Sequence, residues 1–388
     1  MRFREFEGEW KEYKLSDIAY IVGGGTPDTT KEEYWNGEIQ WFTPTEIKTN
    51  YVSKSQRTIS KLGLNNSSAK LLPKGTILLT SRATIGDAAI ALEECSTNQG
   101  FQSLLVKNGN NNIFVLNWII TMRNYLIKKA KGSTFLEISK SEIENISIPI
   151  PTILEQNKIA SFLSLLDDRI STQSQIIESL ETLIKRLSKK LLSQKLRFKD
   201  DNGNDFHDWE MHKLSDICLF YSGGTPQSTN KSYYNGSIPF IRSGEINSDK
   251  TELFISEAGL TNSSAKTINQ GDLLIALYGA TSGEIAISKM KGAINQAILC
   301  VKTTQNKEFL KFLWKMHKEQ ILLSFLQGGQ GNLSAEIIKN LNFFFPKIEE
   351  QDKIATLLSV IEYKLTVEQK LLSEYQKQKT YLLNQMFI

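Results

Sequence analysis

Hydrogen-bonding side chains at loop tips are the main chemistry this chain offers, and they fall into two sets at matching places. Between Ile39 and Ile47 the tip reads Trp41-Phe42-Thr43-Pro44-Thr45-Glu46. Between Ile238 and Ile246 it reads Phe240-Ile241-Arg242-Ser243-Gly244-Glu245. A second pair of tips, Thr80-Ser81-Arg82-Ala83-Thr84 and Leu277-Tyr278-Gly279-Ala280-Thr281-Ser282, follows two strongly apolar strand-like runs. A third pair consists of the polar glycine loops Lys131-Gly132-Ser133-Thr134 and Gly328-Gly329-Gln330-Gly331-Asn332. Arginine can grip guanine through two hydrogen bonds, glutamate can accept from a cytosine amino group, and hydroxyl groups can meet any base edge. Free N–H groups in glycine loops suit phosphate oxygens. If the ligand is a nucleic acid, the candidate contacts are Thr43, Thr45, Glu46, Ser81, Arg82, Thr84, Lys131, Ser133 and Thr134 in the first set. In the second they are Arg242, Ser243, Glu245, Tyr278, Thr281, Ser282, Gln330 and Asn332. Each has a structural reading beside the functional one. Glu46 and Glu245 recur in both sets, as turn caps or partners of a neighbouring lysine would, and the glycine loops also suit helix C-caps. Asn98-Gln99 and Asn295-Gln296 are recurrent too, which favours buried scaffold bonding over contact with adenine.

Catalytic chemistry is missing. None of the eight prolines is adjacent to another, so the Asn/Asp-Pro-Pro-aromatic motif of an adenine-N6 methyltransferase is excluded. No Gly-x-x-x-x-Gly-Lys-Ser/Thr phosphate loop occurs. The three histidines are His207, His212 and His317; the first two lie five apart in a polar linker, where a zinc role would need Cys or carboxylate partners at ligand spacing and a solvated linker is the favoured reading. No catalytic residue, metal site or cofactor is expected in this chain.

The matching tips reflect a chain written twice. Trp10, Leu15-Ser16-Asp17-Ile18, Gly24-Gly25-Thr26-Pro27, Asn36-Gly37 and Glu46-Ile47 return roughly 200 positions later as Trp209, Leu214-Ser215-Asp216-Ile217, Gly223-Gly224-Thr225-Pro226, Asn235-Gly236 and Glu245-Ile246. Asn66-Ser67-Ser68-Ala69-Lys70 returns as Asn262-Ser263-Ser264-Ala265-Lys266. Glu155-Gln156 with Lys158-Ile159-Ala160 returns as Glu350-Gln351 with Lys353-Ile354-Ala355. Two similar binding surfaces imply a ligand with two halves. With 388 residues, each half is long enough to bury its own core. Trp10 and Trp209 are expected in those cores. Strands are predicted at 39–42, 76–80, 88–91 and 101–106 and at their counterparts 238–241, 272–277, 284–287 and 297–301. Inner helices are predicted over 115–129 and 309–326.

After Pro151 and Pro346 the period changes. Ile159, Leu163, Leu166, Ile170, Gln173, Ile177, Leu180, Ile184, Leu187 and Leu191 alternate spacings of four and three, a heptad seam. Ile354, Leu358, Ile361, Leu365, Glu368, Leu372, Tyr375, Lys379 and Leu382 repeat it. Each stripe would be wet on a lone helix, so the two helices are expected to pair. The short connection after Arg197 cannot return along a rod of about 60 Å, which makes the pairing antiparallel. The expected fold is α+β (mixed), with two similar globular domains and two long helices forming an antiparallel coiled coil with pseudo-twofold symmetry. The division is 1–151, first domain; 152–197, first spacer helix; 198–346, second domain; 347–388, second spacer helix.

Gly-Gly-Thr-Pro, Tyr-(Trp/Tyr)-Asn-Gly-x-Ile, Gly271-Asp272-Leu273-Leu274, Asn-Gln and Pro-x-x-x-Glu-Gln-x-Lys-Ile-Ala, in this order and twice, resemble the specificity subunit of type I restriction-modification systems. The first copy departs in reading Lys74-Gly75-Thr76-Ile77 for the Gly-Asp-Leu segment, and the linker after the first long helix is enlarged by Asp201 to Asp208. The resemblance implies a non-catalytic reader of a bipartite, asymmetric double-stranded DNA site, with the helices as a ruler. It also implies two modification (methyltransferase) subunits docked on the helical body and further restriction (motor-nuclease) subunits. S-adenosylmethionine, ATP and Mg would be bound by those partners. Three cysteines without pairing spacing, a net charge of +4 and no long apolar run fit a cytoplasmic protein without a membrane partner. A duplicated adhesion or protein-interaction module on a coiled coil is the alternative, and salt-sensitive duplex binding would separate the two.

Overall fold

The structure, a computed structural model, describes residues 1–132, 136–325 and 333–387. Packing groups the chain into two units, Met1–Gln175 with the chain from Gln369 on, and Ile176–Glu368. The fold is α+β, and both long helices are continuous, Ile153–Leu192 and Ile348–Met386.

In the first unit a five-stranded sheet runs in the order Ala19–Gly23, Gln102–Val106, Ile77–Leu79, Ala88–Ala91, Tyr51–Val52. Its central runs are apolar throughout because both faces are covered. Side chains alternate, so Ile77, Leu79, Ala88 and Ile90 enter one core, while Leu78, Ala89 and Ala91 enter the other. The first core is closed by the inner helix Asn112–Thr121 and by Ile159 and Leu163 of the first long helix. That inner helix is shorter than predicted: it ends at Met122, and a separate helix, Arg123–Lys129, follows. A three-stranded sheet carries Trp35–Phe42 between Arg57–Ile59 and Cys95–Thr97. The strand Ser147–Ile150 returns antiparallel to Lys11–Lys14.

The second unit repeats this plan. Cys218–Ser222, Ile298–Thr303, Leu273–Ala276 and Ile285–Ile287 form its main sheet, and Glu210–Lys213 pairs with Asn342–Phe345. Tyr234–Ile241 lies between Phe254–Ile255 and Gly292–Ile294, with Lys266–Ile268 beyond. The inner helix here is one piece, Lys307–Phe325. The recurrent Asn-Gly pair is a bulge: Asn36 and Asn235 have φ of 57° and 59°, and the strand register shifts just after each.

The long helices pair antiparallel within each unit. In the first, Ile159 and Leu163 share a core with Leu383 and Met386, and the Lys379 ammonium meets the Asp167 carboxylate. In the second, Leu191 and Leu192 share a core with Ile354, Ala355 and Leu358. Every seam position in both stripes is buried or half-buried, and the buried ones are Ile159, Leu163, Leu191, Ile354, Leu358 and Leu382 towards the helix ends together with the polar Gln173 and Lys379. Two helices alone half-cover a seam; globular segments at the ends finish the enclosure.

Candidate nucleic-acid interface

Three recurrent motifs converge to build the frame under each tip. Backbone at Gly24 lies so close to Asn98 and Thr97, and at Gly25 to Ser68 and Ala69, that a Cβ on either glycine would collide with them. Gly223 and Gly224 meet Ile294 and Ser264 in the same way. The threonines of both Gly-Gly-Thr-Pro loops donate to the recurrent glutamines, Thr26 to Gln99 and Thr225 to Gln296. Asn98 and Asn295 accept from the N–H groups of Gly100 and Ala297. What repeats in the sequence is thus mostly scaffold.

On this frame the first unit's tips come together. The Glu46 carboxylate accepts from Thr43 N–H and Oγ1–H, both at 2.7 Å, and from Gln56 N–H at 2.6 Å. Glu46 is therefore occupied as a turn cap, and Thr45 stands exposed beside it. Thr84 Oγ1 donates to the Pro44 carbonyl at 3.2 Å, tying the 80–85 turn to the 43–46 turn. Ser81 is fully buried and belongs to the frame: its N–H donates to Gly100 O and its carbonyl accepts from Ile138 N–H. Arg82 is 43% exposed and pairs with Glu137 at 2.9 Å, next to Ala83, whose φ of 58° marks a strained turn. Lys131 extends into solvent from the same edge, with its ammonium 3.0 Å from Glu142.

In the second unit Glu245 holds the corresponding place, accepting from Arg242 N–H, Glu252 N–H and Thr251 Oγ1–H. Burial alone would raise its pKa, but the Arg242 guanidinium and these N–H groups outweigh that and hold it below the usual carboxylate range. Arg242 reaches Glu245 at 3.2 Å and the exposed Glu252 at 2.7 Å. Ser243 follows it half-buried. Tyr278 is half-buried and its phenol is shifted upward by burial. Ser282 Oγ turns inward to the Leu277 carbonyl at 2.9 Å, and Thr281 accepts from Glu284 N–H. Ser133, Thr134, Gln330 and Asn332 lie outside the described residues.

A second repeated device was hidden in the sequence. Glu155, 1% exposed, accepts from Arg2 through two nitrogens at 2.7 Å and from Trp10 Nε1 at 3.2 Å. Glu350, fully buried, accepts from Arg197 at 3.2 and 2.8 Å and from Trp209 Nε1 at 3.2 Å. The neighbouring Gln156 and Gln351 accept from Asn111 and Asn306 N–H, fixing the N-caps of the inner helices. Both tryptophans face their cores as expected, each also spending its indole N–H on a carboxylate. The Arg2-Phe3 pair recurring as Arg197-Phe198 was the available signal.

Among the described residues no cluster of His, Cys, Asp and Glu could hold a metal, and no helix is long and apolar enough to cross a membrane. One scaffold carried twice on paired helices, with different side chains at its tips, defines a duplicated recognition protein. A family model, the type I restriction modification DNA specificity domain, matches residues 7–182 and again 207–376, and the chain belongs to this family. It is 33% identical over 296 residues to the type I restriction enzyme MjaIX specificity subunit of Methanocaldococcus jannaschii, covering 72% of this chain and 68% of that one. The MjaVIII specificity subunit of the same organism is 22% identical over an alignment of 413 residues, covering 98% and 94%. The fold matches the crystal structure of the S subunit of a type I restriction-modification system from M. genitalium with a TM-score of 0.67, at 17% identity, covering 100% of this chain and 99% of that one.

Proposed function

We infer that this chain is the DNA-sequence specificity subunit of a type I restriction-modification complex, each unit reading one half of a bipartite, asymmetric site. The observation that carries this reading is the division between recurrent scaffold and copy-specific tips: Thr43 against Arg242, Arg82 against Tyr278. A duplicated adhesion module has no need of such a division, and membership of the DNA specificity family disfavours it. The chain is non-catalytic in this proposal. It works in the cytoplasm, takes methyl transfer from two modification subunits and cleavage from restriction subunits, and leaves S-adenosylmethionine, ATP and Mg to them. Exposed Leu165 and Val360 lie at matching places on the two long helices, as docking points for two copies of one partner would. After reconstitution with modification subunits, duplex affinity should fall steeply with salt. Binding that ignores salt would count against the reading.

The helices serve as the ruler. Inserting four residues near Leu180 adds about one turn, roughly 6 Å at 1.5 Å per residue, against about 3.4 Å per base pair along a strand. The unread spacer should lengthen by one or two base pairs while the read bases stay the same. An active complex with its spacer unaltered would contradict this.

Arg242 is proposed as a base reader. The Nη2 contact to exposed Glu252 is worth at most about 1 kcal/mol, whereas a bidentate guanine contact is worth about 1 to 3 kcal/mol, so turning Nη1 and Nη2 to guanine while Nε stays on Glu245 favours DNA. Arg242→Ala should relax one position of the second half-site by that amount, measured as binding to all four bases at each position. Even weakening across sequences would make it a phosphate contact instead.

A further inference from the structure

We propose that Arg57 reads a guanine in the first half-site, a role that rests on the chain being the DNA reader inferred above. Arg57 begins the edge strand Arg57–Ile59 and stands opposite Trp41 in the ladder with Trp35–Phe42. Its guanidinium carbon lies 3.5 Å from the centre of the Trp35 ring and 5.8 Å from that of Trp41. The two indoles meet edge to face at 5.1 Å and are themselves fixed: Trp35 Nε1 donates to Asp28 O at 3.1 Å, and Trp41 Nε1 to Gly25 O at 2.9 Å. The cation therefore lies on a rigid aromatic wall. Its side chain is exposed, and no hydrogen bond or ion pair with a described residue occupies its N–H groups. Stacking engages the flat face of a guanidinium and leaves the donors around its edge available. A group ordered in advance loses less entropy when it binds.

Its position and its singularity both point to readout of sequence. The preceding residue, Gln56, donates its N–H to the Glu46 carboxylate that caps the 43–46 tip, so Arg57 flanks that tip directly. In the second unit the equivalent of Gln56 is Glu252, whose N–H donates to Glu245, and the equivalent of Arg57 is Leu253. There the cation comes from the tip itself, as Arg242, and leans on Glu245 and Glu252. The phosphate backbone is the same at every site, so a phosphate contact is useful to both copies. A cation placed in only one copy, on an edge both copies share, is suited to telling one half-site from the other. Guanine O6 and N7 are the acceptor pair that matches two guanidinium donors.

The test uses the complex reconstituted with the modification subunits, carrying Arg57→Ala or Arg57→Lys, with the methylated motif read by sequencing. Preference for guanine at one first-half position should fall about 10- to 100-fold in the alanine variant and by a smaller factor in the lysine variant, whose compact ammonium can still donate to guanine but lacks the rigid planar fork. An unaltered second half reports an assembled complex in the same experiment. Should the alanine variant fail to assemble, the lysine variant, which keeps a cation over Trp35, carries the test. An unchanged motif with evenly weakened, less salt-sensitive binding makes Arg57 a phosphate contact and overturns the proposal. An unchanged motif with lower thermal stability alone makes it a cover for Trp35 and overturns it too. A first half-site made only of A·T pairs does the same. If the wild-type complex methylates no bipartite site, the reading of the chain as a DNA reader falls, and this role with it.

Discussion

Exchanging residues 1–151 for the equivalent stretch of a relative with a different target should change one half of the methylated motif completely and leave the other half as it was. The exchanged stretch contains all three tips of the first copy, the Gly-Gly-Thr-Pro and Asn-Gln frame, and Arg57. It ends at the proline before the first long helix, which starts at Ile153. The junction crosses the clasp of Arg2 and Trp10 on Glu155, so the donor must supply the same arginine and tryptophan for the chimera to close. Methylome sequencing of a strain carrying the chimera and its partners reads the outcome. A change in both halves would show that the units do not read independently.

Glu350→Ala should destabilise the protein by about 3 to 5 kcal/mol, among the largest effects of any single substitution. Glu350 is fully buried, and its loss leaves the Trp209 indole N–H without its acceptor and the Arg197 guanidinium with only the exposed Asp208 carboxylate, 3.6 Å away, as counter-charge. Arg197 cannot simply turn outward, because its side chain is only 23% exposed and also donates to the carbonyls of Phe206 and His207. Glu350→Gln, which keeps an acceptor, should cost less. Replacing Arg197 and Glu350 together by leucine should recover much of the loss, since the penalty lies in the unpaired charge rather than in the absence of a pair. Denaturant titration separates these cases. A cost for Glu350→Ala below about 1 kcal/mol would place the pair with exposed ion pairs and refute its structural role.

The parts of this fold legible in the sequence are those governed by local period. The heptad seams predict the two helices and their pairing, because a stripe recurring at 3.5 residues has to be buried along its length. The runs Ile77-Leu78-Leu79 and Leu273-Leu274-Ile275 are plain as central strands, since both faces are covered. Lys11–Lys14 was not legible: all four residues are exposed, and its pairing with Ser147–Ile150 is a contact across most of the domain. The break at Met122 was invisible too, as the apolar pattern continues through it.

For the candidate interface, the duplication located the tips but could not assign their side chains. Glu46 and Glu245 show why. A glutamate three residues after the start of a turn suits a backbone cap and a base contact equally, and it is the fold that brings the Thr43, Gln56, Arg242 and Glu252 N–H groups onto those carboxylates. Arg57 is illegible for the opposite reason. Alone in the sequence it is an ordinary surface cation, and its significance comes from Trp35, which reaches it only through the bulged pairing of two strands.

The central claim is that this chain directs methylation to a split DNA sequence through two independent readers. Sequencing the methylated bases in a host that carries the chain with its modification subunits, and in the same host lacking this chain, tests it most directly. The motif should be present only with the chain and consist of two unlike specified halves separated by a fixed run of unspecified base pairs. A contiguous motif, or methylation indifferent to the chain, would contradict it.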